Sequence, residues 1–200
     1  MSTGLDEPRS GAWAIFEAGD IFVPRGYEYV SGELIRKTMG NLSSWIAGRT
    51  FYRLQHHVIR QDRPDWVFPE GQSYRCFPLS GDRRRSRRAD TSVVLFDRLP
   101  GGPDDEPHIE IPPDIAVEVI SPTDRTYDTD DKLADYEAAG IRLVWVVHPV
   151  RRSVRIIDRD AGTDVTVREG ASLTGGAVLP DFRLPVADIF PPAVSAAGGE

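Results

Sequence analysis

PPDIAVEVISPTDRTYDTDDKLADYEAAGIRLVWVVHP, residues 112 to 149, has the pattern of strand, helix and strand. Its two ends are nearly all apolar, as expected of strands buried on both faces. Between them lie Ser and Thr capping candidates, acids toward the front and Gly140 as a stop signal. Together these predict a helix from about Asp128 to Ala139. About twenty residues separate the strands, which is enough for a parallel, right-handed crossover. One residue breaks the pattern. Glu118 sits on the strand face of Ala116 and Ile120, where a carboxylate is costly to bury unless its charge is compensated.

Working outward from this unit, YEYVSGELIRK predicts a hairpin of Tyr27 to Val30 and Glu33 to Lys37 around Ser31-Gly32. In NLSSWIAGRTFYRLQHHVIRQD, the residues Leu42, Trp45, Ile46, Leu54 and Val58 fall at helical spacing. They predict a helix from about Asn41 to Arg60 despite Gly48. DWVFPEGQSYRCF suggests two short extended pieces around Pro69 and Gly71, and DTSVVLFDRL a strand from near Thr91. On the C-terminal side, SVRIID, DVTVRE, ASLTGG and FRLPVADIF predict an antiparallel meander closing in one helical turn. The expected class is α/β with a mixed sheet flanked by helices. The expected organisation is a flexible start over 1–20, one domain over 21–190 and a loose tail over 191–200.

Composition narrows the function. A net charge of −7 argues against a sequence-independent nucleic-acid coat protein, which needs many cationic phosphate contacts, but does not exclude a nuclease. The single cysteine, Cys76, allows no internal disulfide, and no apolar run reaches the roughly 18 residues that span a bilayer. No basic, then apolar, leader opens the chain. These features predict a cytoplasmic protein with no membrane partner. The arginines of DRRRSRRAD, among them Arg84, Arg85, Arg87 and Arg88, suit either a solvated mobile loop or a loop that contacts phosphates.

If the crossover forms, Asp90 at the start of one core strand, Glu118 in its neighbour and Lys132 in the first turns of the helix converge. Two carboxylates on adjacent strands can hold Mg²⁺, with the main-chain carbonyl of Val119 as a further ligand. The lysine would orient a water or stabilise charge on an attacked phosphodiester. Duller readings stand beside each residue. Glu118 could pair with a buried Arg or Lys, Asp90 could be a turn acid, and Lys132 could pair with Asp128 or Tyr136. His56 and His57 diverge by about 100° on their helix and make a poor ligand pair. His108 is a loop residue near the expected site and a candidate substrate contact. Ser121 is explained by capping, and Cys76 by packing.

YEYVSGELI, RRADTSVVLF, PPDIAVEVISPTD, DKLADYEAAGIRLVWVVHP and LPDFRLPVADIF, in order from about Tyr27 to Phe190, resemble the Uma-two family of the PD-(D/E)XK nuclease superfamily. The resemblance implies a restriction-endonuclease-like core, Mg²⁺-dependent hydrolysis of DNA phosphodiester bonds and a homodimer. It assigns the motif acids to Asp90 and Glu118. The usual lysine would fall at Ile120, so that role passes to Lys132. Residues 41–61 contain no acid, and Glu33 in the preceding hairpin is the nearest substitute. Ala89 replaces the motif proline, and His148 stands where the family more often has Asp or Asn. Two rivals keep the fold: a catalytically inactive nucleic-acid-binding or regulatory dimer, and an enzyme acting on RNA or small nucleotides.

Overall fold

The computed structural model describes residues 23–24, 26–37, 39–77, 82–121 and 126–192. The start expected over 1–20, all but the first two residues of the expected tail and the capping candidate Thr123 lie outside them. The described chain opens with a hairpin of β1 (Tyr27–Val30) and β2 (Glu33–Arg36), in register with Val30 opposite Glu33. Ser31 (φ 52°) and Gly32 (φ 91°) both adopt the left-handed conformation. That is what a two-residue turn between right-twisted strands requires.

Helix α1 (Asn41–Arg60) follows and buries Ile46, Ala47, Thr50, Leu54 and Val58, a spacing of three and four that makes one inward stripe. Then come β3 (Trp66–Phe68), β4 (Thr91–Val94), β5 (Ile115–Val119), helix α2 (Thr126–Ala138) and β6 (Leu143–His148). The chain continues through β7 (Ser153–Asp158), β8 (Thr163–Arg168), β9 (Ser172–Gly175) and β10 (Leu179–Pro185). Strands β3 to β8 form one sheet in chain order. Within it, β5 and β6 run parallel, with Glu118 opposite Val146, and the other neighbours are antiparallel. The expected parallel unit is therefore present, with α2 as its connection.

The sheet carries a core on each face. Val93, Ile115, Val117, Val119, Leu143, Trp145 and Val147 pack toward α1, whereas Val94, Ala116, Val144 and Val146 pack toward Tyr136 of α2. Each fully buried aliphatic side chain contributes about 1.5–3 kcal/mol relative to exposure. The consequence for the site is directional: the face of Ala116 is also the face of Glu118.

Two elements differ from the sequence expectation. The strand over DTSVVLFDRL stops at Val94 and gives way to one 3₁₀ turn, Phe96–Arg98. Side chains take over the donors that a continued ladder would use: Leu95 N–H donates to Asp114 Oδ2 at 2.9 Å and Phe96 N–H to Asp65 Oδ1 at 3.1 Å. Such bonds offer the backbone an alternative to pairing. The expected meander also divides. β7 and β8 extend the central sheet, while β9 and β10 form a separate pair. Leu173, Leu179, Phe182 and Leu184 of that pair are buried in the α1-side core, and this burial draws the pair onto the sheet face instead of its edge.

Candidate active site

With Thr91 opposite Val117, the entry of β4 lies beside the exit of β5, so Asp90 and Glu118 become neighbours. Alternation along each strand places both on the α2 face. Asp90 is fixed by the backbone of its partner strand, since its Oδ2 accepts the Val119 N–H at 2.6 Å. In a strand the carbonyl of a residue points to the same side as its N–H. The Val119 carbonyl is therefore directed toward Asp90, and Val119 lines the same cleft.

Helix α2 supplies two pairs of side chains one turn apart, which helical spacing puts on adjacent rails. One rail serves Glu118: Tyr136 donates its hydroxyl to Oε1 at 2.5 Å, and Lys132 Nζ donates to Oε2 at 3.0 Å. The other rail serves the arginine segment. Asp135 accepts from Arg85 Nε at 2.8 Å and Arg87 Nε at 2.5 Å, and Asp131 accepts from the Nη2 groups of both arginines.

The hairpin closes the opposite wall. Glu28 of β1 accepts from the Arg88 N–H at 2.8 Å and pairs with Lys132 at 2.8 Å and Arg87 at 3.3 Å. Lys37, just after β2, brings its ammonium 2.5 Å from Asp90 Oδ1 and 3.7 Å from Glu118 Oε2. The Arg88 carbonyl accepts from both Lys37 and Lys132 at 2.7 Å. Glu28, Lys37, Asp90, Glu118, Val119 and Lys132 thus line one cleft of about 170 Å³.

Charge balance differs among the acids. Burial pushes the Glu118 carboxyl up, Asp90 and Glu28 add to that, and the ammonium groups of Lys132 and Lys37 only partly offset it. Burial also opposes ionised Glu28, but there Lys132, Lys37 and Arg87 prevail and hold the carboxyl down at about 2. Glu118 also has the carboxylates of Asp90 and Glu28 pushing it up, whereas Glu28 has Arg87 as a third cation beside the two lysines. Burial likewise works against the Lys37 ammonium, yet Asp90, Glu118 and Glu28 outweigh it and keep Lys37 charged. Burial and the adjacent carboxylates raise the Tyr136 hydroxyl far above its ordinary value, so it remains a donor to Glu118.

Asp90, Glu118, Lys132 and Val119 come together, but other residues singled out in the sequence do not join them. Glu33 is exposed on β2, and Glu28 is the hairpin acid that reaches the cleft. The arginine segment is no mobile loop over its second half: Arg85, Arg87 and Arg88 are 3–6 % exposed. Arg88 donates to the carbonyls of Tyr27 and Gly71. These three are thus committed within the chain, a correction to the expectation that they face phosphates. Arg84 does lie outside, paired with Asp82 at 2.9 Å and stacked over Tyr29. His108 is buried with Nδ1 2.8 Å from the Ser73 hydroxyl and is not among the cleft residues. Burial pushes the Cys76 thiol up to about 12, consistent with packing.

Glu28, Lys37 and Tyr136 had no assigned role in the sequence reading beyond a local partner for Lys132. Two signals point to Glu28 and Lys37. Glu28, like Glu118, is an acid inside an apolar strand. The chain also contains only two lysines against 22 arginines, and both lie against Glu118.

The donor set fits a hard divalent cation of the Mg²⁺ type. Each carboxylate has one oxygen held by the scaffold, Asp90 Oδ2 by Val119 and Glu118 Oε1 by Tyr136. Asp90 Oδ1 and Glu118 Oε2, the latter also accepting from Lys132 at 3.0 Å, turn toward the Lys37 ammonium. Asp90 Oδ1 is buried and accepts no hydrogen bond. Its 2.5 Å approach to Lys37 is a close charge contact. Among the described residues no group of three or more His, Cys, Asp or Glu gathers as a metal cage. Mg²⁺ needs only one or two carboxylates, with waters and substrate oxygens completing its shell.

Comparison with known proteins bears on the family and the fold. The Uma2 family model, described as "Putative restriction endonuclease", matches residues 24–187. A crystal structure of a "putative nuclease" from Anabaena variabilis superposes with a TM-score of 0.66 at 21 % identity, covering 82 % of this chain and 89 % of that one. No curated protein matches the chain.

Proposed function

Because the chain belongs to the Uma2 family and carries a nuclease fold, we propose that it is a Mg²⁺-dependent endonuclease that hydrolyses DNA phosphodiester bonds as a homodimer. The single observation that supports this most is the pair of scaffold-held carboxylates, Asp90 and Glu118, whose remaining oxygens face one cation position in an accessible cleft.

In this reading Asp90, Glu118 and the Val119 carbonyl hold the metal, which when bound supplies Lewis acidity and a water of lowered pKa. The chain's own residues set the stage for it. Tyr136 and Lys132 keep Glu118 aimed at the cleft. All three donors of Lys132 end on protein acceptors, namely Glu28, Glu118 and the Arg88 carbonyl. Lys132 is therefore a positioning residue for the carboxylate, not the group that orients water. Glu28, held ionised, fixes Lys132 in turn. Arg83 and Arg84, both exposed, remain the members of the arginine segment suited to a phosphate.

The test is nicking of supercoiled plasmid with Mg²⁺, with EDTA, and with Asp90→Asn and Glu118→Gln. Loss of a metal carboxylate should lower the rate by at least about a hundredfold. Unchanged nicking in both variants ends the assignment. RNA added as competitor separates DNA from RNA as substrate. A non-catalytic nucleic-acid-binding role is the second reading, favoured by the ammonium partners that the cleft acids already have. It requires that Glu118→Gln keep DNA binding and that calorimetry detect no Mg²⁺ uptake.

A further inference from the structure

We propose that Lys37 is a built-in competitor for the divalent cation, its ammonium occupying the position between Asp90 and Glu118 so that metal uptake proceeds by displacing it. This rests on the reading of Asp90 and Glu118 as the metal carboxylates and adds how access to that site is controlled.

Geometry carries the inference. Asp90 Oδ1, which accepts no hydrogen bond, lies 2.5 Å from Lys37 Nζ, and Glu118 Oε2, which Lys132 also holds at 3.0 Å, lies 3.7 Å from it. Lys132 reaches Glu118 from the helix side and pairs there with Glu28, whereas Lys37 comes from the hairpin and lies against Asp90 Oδ1. The residue type agrees. An ammonium is a compact point charge that can stand where a metal ion would, whereas a guanidinium is a planar fork that cannot. In a chain with 22 arginines and two lysines, placing one of the two lysines here is consistent with that requirement.

Position also provides an exit. Lys37 follows the edge of a two-stranded hairpin, and its side chain is 15 % exposed against 2 % for Asp90. A rotamer change can carry the ammonium toward solvent while the acids stay fixed on the central sheet. Two cations cannot share the position, since like charges at this separation repel strongly in a partly buried site. Occupancy by the metal therefore excludes the ammonium, and the ammonium lowers the apparent affinity for the metal.

Two measurements test this on the full chain. In calorimetric titration with MnCl₂, Lys37→Met should bind at least tenfold more tightly than the native chain. In the native chain, acetylation at pH 8.5 read by mass spectrometry should show saturating Mn²⁺ raising modification of Lys37 at least fivefold and leaving Lys132 unchanged. The second readout needs no variant and so is independent of whether Lys37→Met folds. Equal affinities, or Lys37 acetylation unchanged by Mn²⁺, overturn the competition while leaving the metal site standing. Failure of both the native chain and the variant to bind Mn²⁺ overturns the metal site and the competition together.

Discussion

Substituting Asp135 by Asn tests whether the arginine segment is held by buried charge. Asp135 is fully buried and accepts from Arg85 Nε and Arg87 Nε, which are themselves 5 % and 3 % exposed. Removing one partner of a buried pair typically costs about 3–5 kcal/mol, because the other charge is left uncompensated. Asp131 still reaches both guanidinium groups at 2.8 and 2.5 Å, and asparagine keeps one acceptor, so the lower end, about 3 kcal/mol, is expected. For a chain of this size that corresponds to a fall in Tm of about 6–12 °C. Asp164→Asn is the matched control, as its pair with Arg155 is exposed on both sides and should contribute no more than about 1 kcal/mol. Thermal and urea melts of the two variants decide the matter. Equal shifts would refute the claim that this network pins the segment between Arg85 and Asp90.

Two further outcomes follow from particular contacts. In Gly175→Ala the new Cβ would lie 2.4 Å from the Leu179 carbonyl oxygen, so β9 and β10 must separate at a cost of about 1–3 kcal/mol; an unchanged urea midpoint would contradict so close an approach. Folding holds the Glu28 carboxyl at about 2 against 4.5, so its ionised form stabilises the fold above pH 4.5 and that stability is lost as pH falls toward 2. Glu28→Gln should therefore flatten the acid dependence of the urea midpoint by up to about 1.4 kcal/mol per pH unit within that window, and an identical slope would count against the ion pairs with Lys132 and Arg87.

Local patterns made much of the architecture legible. Apolar runs around Glu118 and Trp145, with a capped helical pattern between them, need only short-range spacing to predict β5, α2 and β6, and Ser31-Gly32 predicts its own turn. Glu118 stood out because an acid inside an apolar strand is a local anomaly. Glu28 carries the same anomaly in YEYV but is masked by the alternation of a hairpin, where one strand face is ordinarily polar. The strand beginning at Thr91 was read too long because Asp65 and Asp114, distant in the chain, take the N–H groups after Val94.

The amino-acid sequence by itself thus indicated most of the secondary structure, the parallel crossover and the two acids as candidates, since each depends on neighbours within a few turns or one strand. Only the tertiary structure decided which cations meet those acids. Lys37 meets Asp90 from 53 positions away in the chain (90 − 37) and Glu118 from 81 (118 − 37). A charged side chain is long and its periodicity weak, so its partner is chosen by where the sheet, hairpin and helix finally pack. Arginines that looked ready for a phosphate backbone are instead buried against α2, and a lysine from the hairpin edge stands between the two carboxylates.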